Sequence, residues 1–279
     1  MSLFIEKIMI VNKQIWYSLE IFGTKKNREI FIAYIEDLIV GLNEGVNSSL
    51  LFFDKIFYEK INLKLKESSI IDDWKLLEVE EKNWTKSCKD FFKPIIINNT
   101  VKILPSWSDK YDDKMLNVLI NPALAFGTGH HETTYMMIQA MLSYDFKNKT
   151  VFDIGTGSGI LSILAKKMMA KSIYAIDNDI LTNNNFFENL ELNDINDINF
   201  EIKDCFDIVD FNYDFIFANI NLHILEKLIP KIVSKGTILI ISGILYSDEK
   251  ILVKVLNDND KTIKNIYKKN EWLCFIVEL

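Results

Sequence analysis

The 279-residue sequence predicts an α/β protein, with a doubly wound, mostly parallel sheet in its C-terminal part and a small α+β domain before it. Three observations carry this reading. From residue 150 onward, short apolar runs alternate with helical patterns, the signature of strand–helix–strand units. The first of these runs ends in a glycine-rich turn, Asp153-Ile154-Gly155-Thr156-Gly157-Ser158-Gly159, and a helical run follows at once. The composition, 49% hydrophobic and 25% charged, suffices to bury a real core.

Taken in order, residues 13–22 read as a strand and 28–42 as an amphipathic helix closed near Gly45. Residues 50–66 look strand-rich and complete an α+β domain over 1–66. Residues 67–110 read as a connector, with tryptophans at 74, 84 and 107, a Lys93-Pro94 break and an extended segment from Ile95 to Leu104. The C-terminal domain is assigned to 111–279. Its strands are expected at 151–154, 172–176, 198–202, 213–218 and 237–242, with helices over 160–169, 179–190, 222–233 and 247–257. Strands near 262–268 and 272–278 follow without a helix between them, so a closing hairpin adds an antiparallel edge to a seven-stranded sheet. Right-handed crossovers bring the strand-to-helix turns to one edge, where ligands bind.

Composition also excludes. No apolar run approaches the roughly 20 residues of a membrane span, and the N-terminus lacks the pattern of a signal peptide. Cys88, Cys205 and Cys274 cannot all pair, which points to reduced thiols and a cytoplasmic protein. The net charge is −7, and all of the excess lies in the C-terminal part: residues 1–105 carry 15 basic and 15 acidic side chains, residues 106–279 carry 17 and 24. Arg28 is the single arginine against 31 lysines. An acidic domain poor in arginine is a bad match for a nucleic-acid backbone and a better one for a basic partner. Nucleic acid is therefore not expected as the direct substrate, although the charge alone also serves solubility.

The chemistry concentrates at the turns. Glycines at 155, 157 and 159 allow positive φ and close approach of a ligand to the backbone, and the helix start offers N–H groups and a positive dipole end. Dinucleotide-binding folds use a similar turn. Here Ile160 stands where their third glycine belongs, and Asp153 supplies a carboxylate suited to the amino group of a methionine moiety, so the motif favours S-adenosylmethionine. Asp177 ends the second strand 22 residues after Gly155, where a carboxylate can accept both ribose hydroxyls. It supports a nucleoside without choosing between cofactor classes, and it also reads as a helix N-cap. Asn219 leaves the fourth strand toward the transfer site. Its amide has both an acceptor and a donor end and can orient an amine, though it is no base. Asn221 is an alternative, or the N-cap of the next helix. Upstream, Asn121 to Thr134 combines two glycines with the aligned hydroxyls of Thr133 and Thr134 ahead of an apolar helical run, which suggests a loop that covers the cofactor. The adjacent His130 and His131 find no third ligand but the distant His223, and no metal is expected.

The stretches LAFGTGHHETT, VFDIGTGSG, AIDND, FIFANIN and ISGIL, in this order and spacing, closely resemble the PrmA family, whose members methylate ribosomal protein eleven of the large subunit. The segment EEKNWTKSCKDFFKPIIINNTVKILPSW is similar to that family's connector. The resemblance covers residues 75–279 by motif and 1–70 by size and element order. It implies a Rossmann-like methyltransferase sheet, S-adenosylmethionine as cofactor, a large-subunit ribosomal protein as partner and transfer to lysine side-chain and N-terminal amines, with the N-terminal domain recognising the client. Family cofactor contacts fall by position on Thr134, Gly155, Asp177 and Asn219, beside Asp153, Gly157 and Phe126 from the surrounding motifs; Asn219 is also the candidate catalytic residue. Three departures stand out: His130 replaces a threonine, Glu132 replaces a proline, which frees the backbone before Thr133, and Asn221 adds a polar group near the transfer site. Two other readings are a methyltransferase of the same fold with another client (an electron-transfer flavoprotein subunit or a small amine) and a non-catalytic module that keeps cofactor affinity.

Overall fold

The computed structural model describes residues 16–35, 38–39, 41–44, 47–79, 93–121 and 131–279. The chain divides between Phe92 and Lys93 into two compact units, whereas the sequence suggests boundaries at 66 and 110. The difference lies in pairing: the strand at 73–79 belongs to the N-terminal sheet, and the extended segment from Ile95 belongs to the C-terminal unit.

In the N-terminal unit, β1 (Trp16–Phe22), α1 (Lys25–Ile35), β2 (Gly41–Glu44), β3 (Ser48–Asp54), α2 (Tyr58–Glu67) and β4 (Asp73–Val79) follow one another. The sheet order β2-β3-β1-β4, antiparallel throughout, is that of a split βαβ arrangement. Leu19, Ile21, Leu51 and Phe53 bury one sheet face against Phe31 and Ile35 of α1 and Ile61 and Leu65 of α2. Two expectations are corrected here. The helix expected over 28–42 runs from Lys25 to Ile35, and Leu42 lies in β2. Residues 58–67, expected as strand, form α2: the alternation in Ile61-Asn62-Leu63-Lys64-Leu65 mimics a strand, yet Ile61 and Leu65, four apart, are the pair that is buried. Arg28 lies buried, its Nε donating to Ser49 Oγ (3.0 Å) and its guanidinium to Gly23 O (2.7 Å).

The C-terminal unit opens with a three-stranded sheet of β5 (Ile95–Ile97), β6 (Val101–Pro105) and β7 (Leu116–Ile120), followed by α3 (Glu132–Met141). Then come β8 (Thr150–Ile154), α4 (Ile160–Lys167), β9 (Ser172–Asp177), α5 (Thr182–Leu192), β10 (Asn199–Ile202), β11 (Phe215–Asn219), α6 (Leu222–Leu228), β12 (Ile238–Leu245), α7 (Glu249–Asp258), β13 (Thr262–Lys269) and β14 (Trp272–Glu278). The main sheet has the order β10-β9-β8-β11-β12-β14-β13. Pairing is parallel from β10 to β12 and antiparallel between β12 and β14 and between β14 and β13. This is the expected seven-stranded, mostly parallel sheet. The last strand inserts between β12 and β13, which explains why Leu273 to Val277 are all buried.

Alternation along each strand separates two cores. Val151, Phe215, Phe217, Ile240 and Ile276 face α3, α4 and α5 on one side. Phe152, Ile216, Ala218, Leu239, Ile241 and Phe275 face α6 and α7 on the other. Strand order reverses between β8 and β11, and in an open α/β sheet this switch point sets a crevice beyond the carboxyl ends of the strands. Among the described residues no helix is long and apolar enough to cross a membrane.

A column of asparagines fixes β7, a strand not expected from sequence. Asn193 accepts from Leu119 N–H (3.0 Å) and donates to Leu119 O (2.7 Å), as a neighbouring strand would. One turn back, Asn189 accepts from Asn121 N–H (2.7 Å) and donates to Ser158 O (2.8 Å) of the glycine-rich turn. Replacing Asn193 with Ala leaves two buried backbone groups unpaired, and we expect a loss of roughly 2–3 kcal/mol. Chemical denaturation measures it; a change under about 0.5 kcal/mol would show that β7 does not depend on this amide.

Candidate functional site

The apolar strand β8 delivers Asp153 to its end, and Gly155, Gly157 and Gly159 follow with φ of 68°, 54° and 80°. The turn is fastened to β9: Gly155 and Thr156 N–H both donate to Ile176 O (2.9 and 3.0 Å), and Gly157 N–H donates to Asp177 Oδ2 (2.9 Å). These three donors are thus committed within the protein. What the glycines provide is space. A Cβ on Gly155 would lie 2.6 Å from Ile220 Cγ2, and one on Gly243 would lie 2.5 Å from the Ile220 carbonyl oxygen. Ile220, the residue after Asn219, is wedged between two glycines.

Asp153 is buried beneath the turn. Its Oδ2 accepts from Thr156 Oγ1 (2.7 Å) and Ser162 Oγ (2.6 Å). Burial pushes its carboxyl up to about 6, the hydroxyl hydrogen bonds pull the other way, and the nearby Asp177 charge adds to the rise. Asp177, at the end of β9, accepts from Gly157 N–H and from Asp179 N–H (3.0 Å). Burial raises its pKa as well, against the hydrogen bonds from Asp179 and Gly157. The helix that follows starts at Thr182, so Asp177 closes the preceding turn and does not cap a helix.

On the other side of the crevice, the first turn of α3 meets the end of β11. Asn219 Nδ2 donates to Thr133 Oγ1 (3.1 Å), and Thr133 Oγ1 lies 2.7 Å from His131 Nδ1. Thr134 is buried beside Thr133. Among the described residues, two buried side-chain polar atoms have no hydrogen-bond partner: Thr134 Oγ1 and Asn219 Oδ1. Both belong to candidate site residues, and Asn219 bonds to the residue next to Thr134. Leaving such an atom unpaired costs about 1–3 kcal/mol.

The structure therefore gathers Asp153, Gly155, Gly157 and Asp177 around the turn, and Thr134 and Asn219 across from them at the end of β11. Phe126 and the rest of 122–130 lie outside the described residues, as do Trp84 and His130. Asn221 is exposed and makes no side-chain cap bond at the start of α6. Sequence reasoning missed His131, which caps α3 by accepting from Thr133 N–H; its position two residues before a hydroxyl at a helix start was the available signal. Among the described residues no group of three or more His, Cys, Asp or Glu side chains could hold a metal.

The family described as ribosomal protein L11 methyltransferase (PrmA) matches residues 24–279. The chain belongs to this family. A ribosomal protein L11 methyltransferase of Prochlorococcus marinus (strain AS9601) is 32% identical over 240 residues, covering 81% of this chain and 78% of that protein. One of Clostridium perfringens (strain SM101 / Type A) is 34% identical over 235 residues, covering 81% and 75%. The crystal structure of a ribosomal protein L11 methylase from Lactobacillus delbrueckii subsp. bulgaricus superposes with a TM-score of 0.63 at 31% identity, over 67% of this chain and 98% of that one. The seven-stranded sheet is thus a methyltransferase sheet, and the chain is a member of a methyltransferase family.

The buried Asp153 yields a pH prediction. Its folded pKa, about 6, lies above the ordinary carboxylate value. The stability it contributes is fully present below about pH 4 and is lost as pH rises through about 6. An Asp153→Asn protein keeps an acceptor for Thr156 and Ser162, and its unfolding free energy should lack this fall, on the order of 1–3 kcal/mol. Denaturant titrations from pH 4 to 7.5 test it; parallel profiles for the two proteins would refute it.

Proposed function

We propose that the chain binds S-adenosylmethionine in the crevice beyond β8 and methylates lysine side-chain and N-terminal amines of ribosomal protein L11. The observation that carries this reading is the pair of orphaned atoms, Thr134 Oγ1 and Asn219 Oδ1. Two buried polar atoms without protein partners on neighbouring, hydrogen-bonded elements suit a site where a ligand and an incoming amine supply them.

The residues present fit this donor. The donor lies along the turn of Gly155 and Gly157, and Asp177 accepts the ribose hydroxyls with the lone pairs that its backbone bonds leave over. Asp153 and Asp177, both held at raised pKa by burial, gain from a cationic ligand nearby, and the methionine amino group is one. Thr134 contacts the donor. Bound, S-adenosylmethionine supplies an electrophilic methyl group on a positively charged sulfur, open to in-line displacement by an unprotonated amine. Asn219 Oδ1 accepts an N–H of that amine and turns its lone pair toward the methyl group, so orientation does the catalytic work.

The family of the chain and its charge support the client. The C-terminal part carries the whole net charge of −7 and meets a lysine-bearing protein favourably, with the N-terminal unit as the recognition module. No nucleic acid or membrane enters the reaction, and a cytoplasmic location follows from the client; Cys205 and Cys274 are free thiols, as that compartment requires.

Two measurements test this. Replacing Asp177 with Asn should weaken S-adenosylmethionine binding by roughly 10- to 100-fold in calorimetry, the value of a hydrogen bond to a charged group, with a modest fall in melting temperature because the amide can accept from only one of the Gly157 and Asp179 N–H groups. Labelled donor incubated with purified large-subunit proteins should mark L11 on its amines. Donor binding without label in L11 would overturn the client; label in another protein or a small amine would replace it.

A further inference from the structure

We infer that His131 and Thr133 act as a positioning relay that holds the Asn219 amide with its oxygen toward the reacting amine. The inference rests on the proposed transfer to an amine, and it concerns residues to which that reading gives no task.

A carboxamide is nearly symmetric in shape, so packing alone does not decide which end faces the crevice. Hydrogen bonding decides it. In the structure Nδ2 of Asn219 points at Thr133 Oγ1 (3.1 Å), and Oδ1 is left without a partner. The reverse orientation would require Thr133 to donate its hydroxyl proton to Asn219 Oδ1. That proton is already claimed: Thr133 Oγ1 is 2.7 Å from His131 Nδ1. Nδ1 also accepts from Thr133 N–H (3.4 Å), so it carries no hydrogen, and the imidazole is the neutral Nε2–H tautomer. With its proton given to His131, Thr133 offers Asn219 only a lone pair. The amide must answer with its NH2 group, and its oxygen must face the site.

The orientation matters chemically. An acceptor facing the crevice takes an N–H of the incoming amine and leaves the lone pair free to attack. A donor in the same place would bind that lone pair and block the nucleophile. Three features keep His131 neutral. Burial lowers its pKa, with the Glu132 charge opposing; the ring sits at the positive end of α3; and Glu132 is engaged by Asn270 Nδ2 (2.7 Å) on the β13–β14 hairpin. Trp272 of the same hairpin holds the ring edge-on, with centroids 4.9 Å apart. His131 reaches the reacting atoms only through Thr133 and Asn219, so it is a positioning residue.

The test uses the full chain. Thr133→Val removes the hydroxyl at constant shape, and kcat for amine methylation should fall roughly 10- to 100-fold while the S-adenosylmethionine Kd stays within about threefold. Thr133→Ser should restore at least about a third of the rate. His131→Asn, which keeps an acceptor at the cap, should retain more activity than His131→Ala. In the wild-type protein, imidazole 15N shifts should report the Nε2–H tautomer whether or not turnover is seen. An Nδ1–H tautomer overturns the relay. So does a Thr133→Val enzyme with unchanged kcat, or one that loses donor affinity in step with rate. A wild-type protein that binds donor but methylates no amine removes the proposed function, and the tautomer then decides on the hydrogen-bond arrangement alone.

Discussion

Three hydrogen bonds from the glycine-rich turn to the end of β9 set the position of everything else in the site. Gly155 and Thr156 donate to the carbonyl of Ile176, and Gly157 donates to the carboxylate of Asp177. They fix the turn against β9, and the fixed turn leaves a slot at Gly155 that Ile220 fills. Gly243 bounds the same slot on the side of β12, where a bulge interrupts the pairing with β14. With Ile220 held on both sides, Asn219 sits at the end of β11 with its amide against Thr133. Backbone bonds at the turn thus reach the candidate catalytic amide through shape alone.

Around this rigid frame the protein keeps several groups in unfavourable states. Asp153 and Asp177 are carboxylates whose burial disfavours their charge, and Thr134 and Asn219 each hide a polar atom without a partner. A chain selected for stability alone would replace such groups. They cluster along one edge of one sheet, at the point where strand order reverses, and that clustering supports the proposed site. Elsewhere in the same unit, buried amides such as Asn189 and Asn193 are fully used, so the orphans do not reflect loose packing.

Much of the C-terminal unit was legible in the sequence because its strands are short apolar runs bounded by helices, and that rhythm has few folded solutions. Asp153, Gly155, Gly157, Asp177 and Asn219 were candidates from their places at strand ends, and Thr134 from the family resemblance. The N-terminal unit was harder. Lysines alternate with Leu63 and Leu65 in α2, so the local period reads as a strand, and only packing against β1 and β3 selects the helix. β7 escaped for a different reason: side-chain amides of α5 supply part of its pairing, and no local pattern in 116–120 announces that. The role of His131 was hidden because a histidine before a helix reads as a ligand or a surface group until its hydrogen bonds are known.

Among the described residues, the candidate site contains no side chain placed to take a proton from an amine. Burial pushes the Asp153 carboxyl up to about 6, yet it is sealed under the turn with Thr156 and Ser162 on one oxygen. His131, the other group with a suitable ordinary pKa, has Nδ1 occupied by Thr133, and burial moves its pKa downward. Asn219 and Thr134 do not titrate in the relevant range. A nucleophile that enters as the free amine needs no base for the bond-forming step, because the proton is lost to solvent before or after transfer. What it does need is a fixed direction of approach, and one acceptor aimed into the crevice supplies that. The architecture is thus suited to orienting an amine rather than activating one. An asparagine serves that end better than a carboxylate, which would favour the ammonium form and hold the nucleophile protonated.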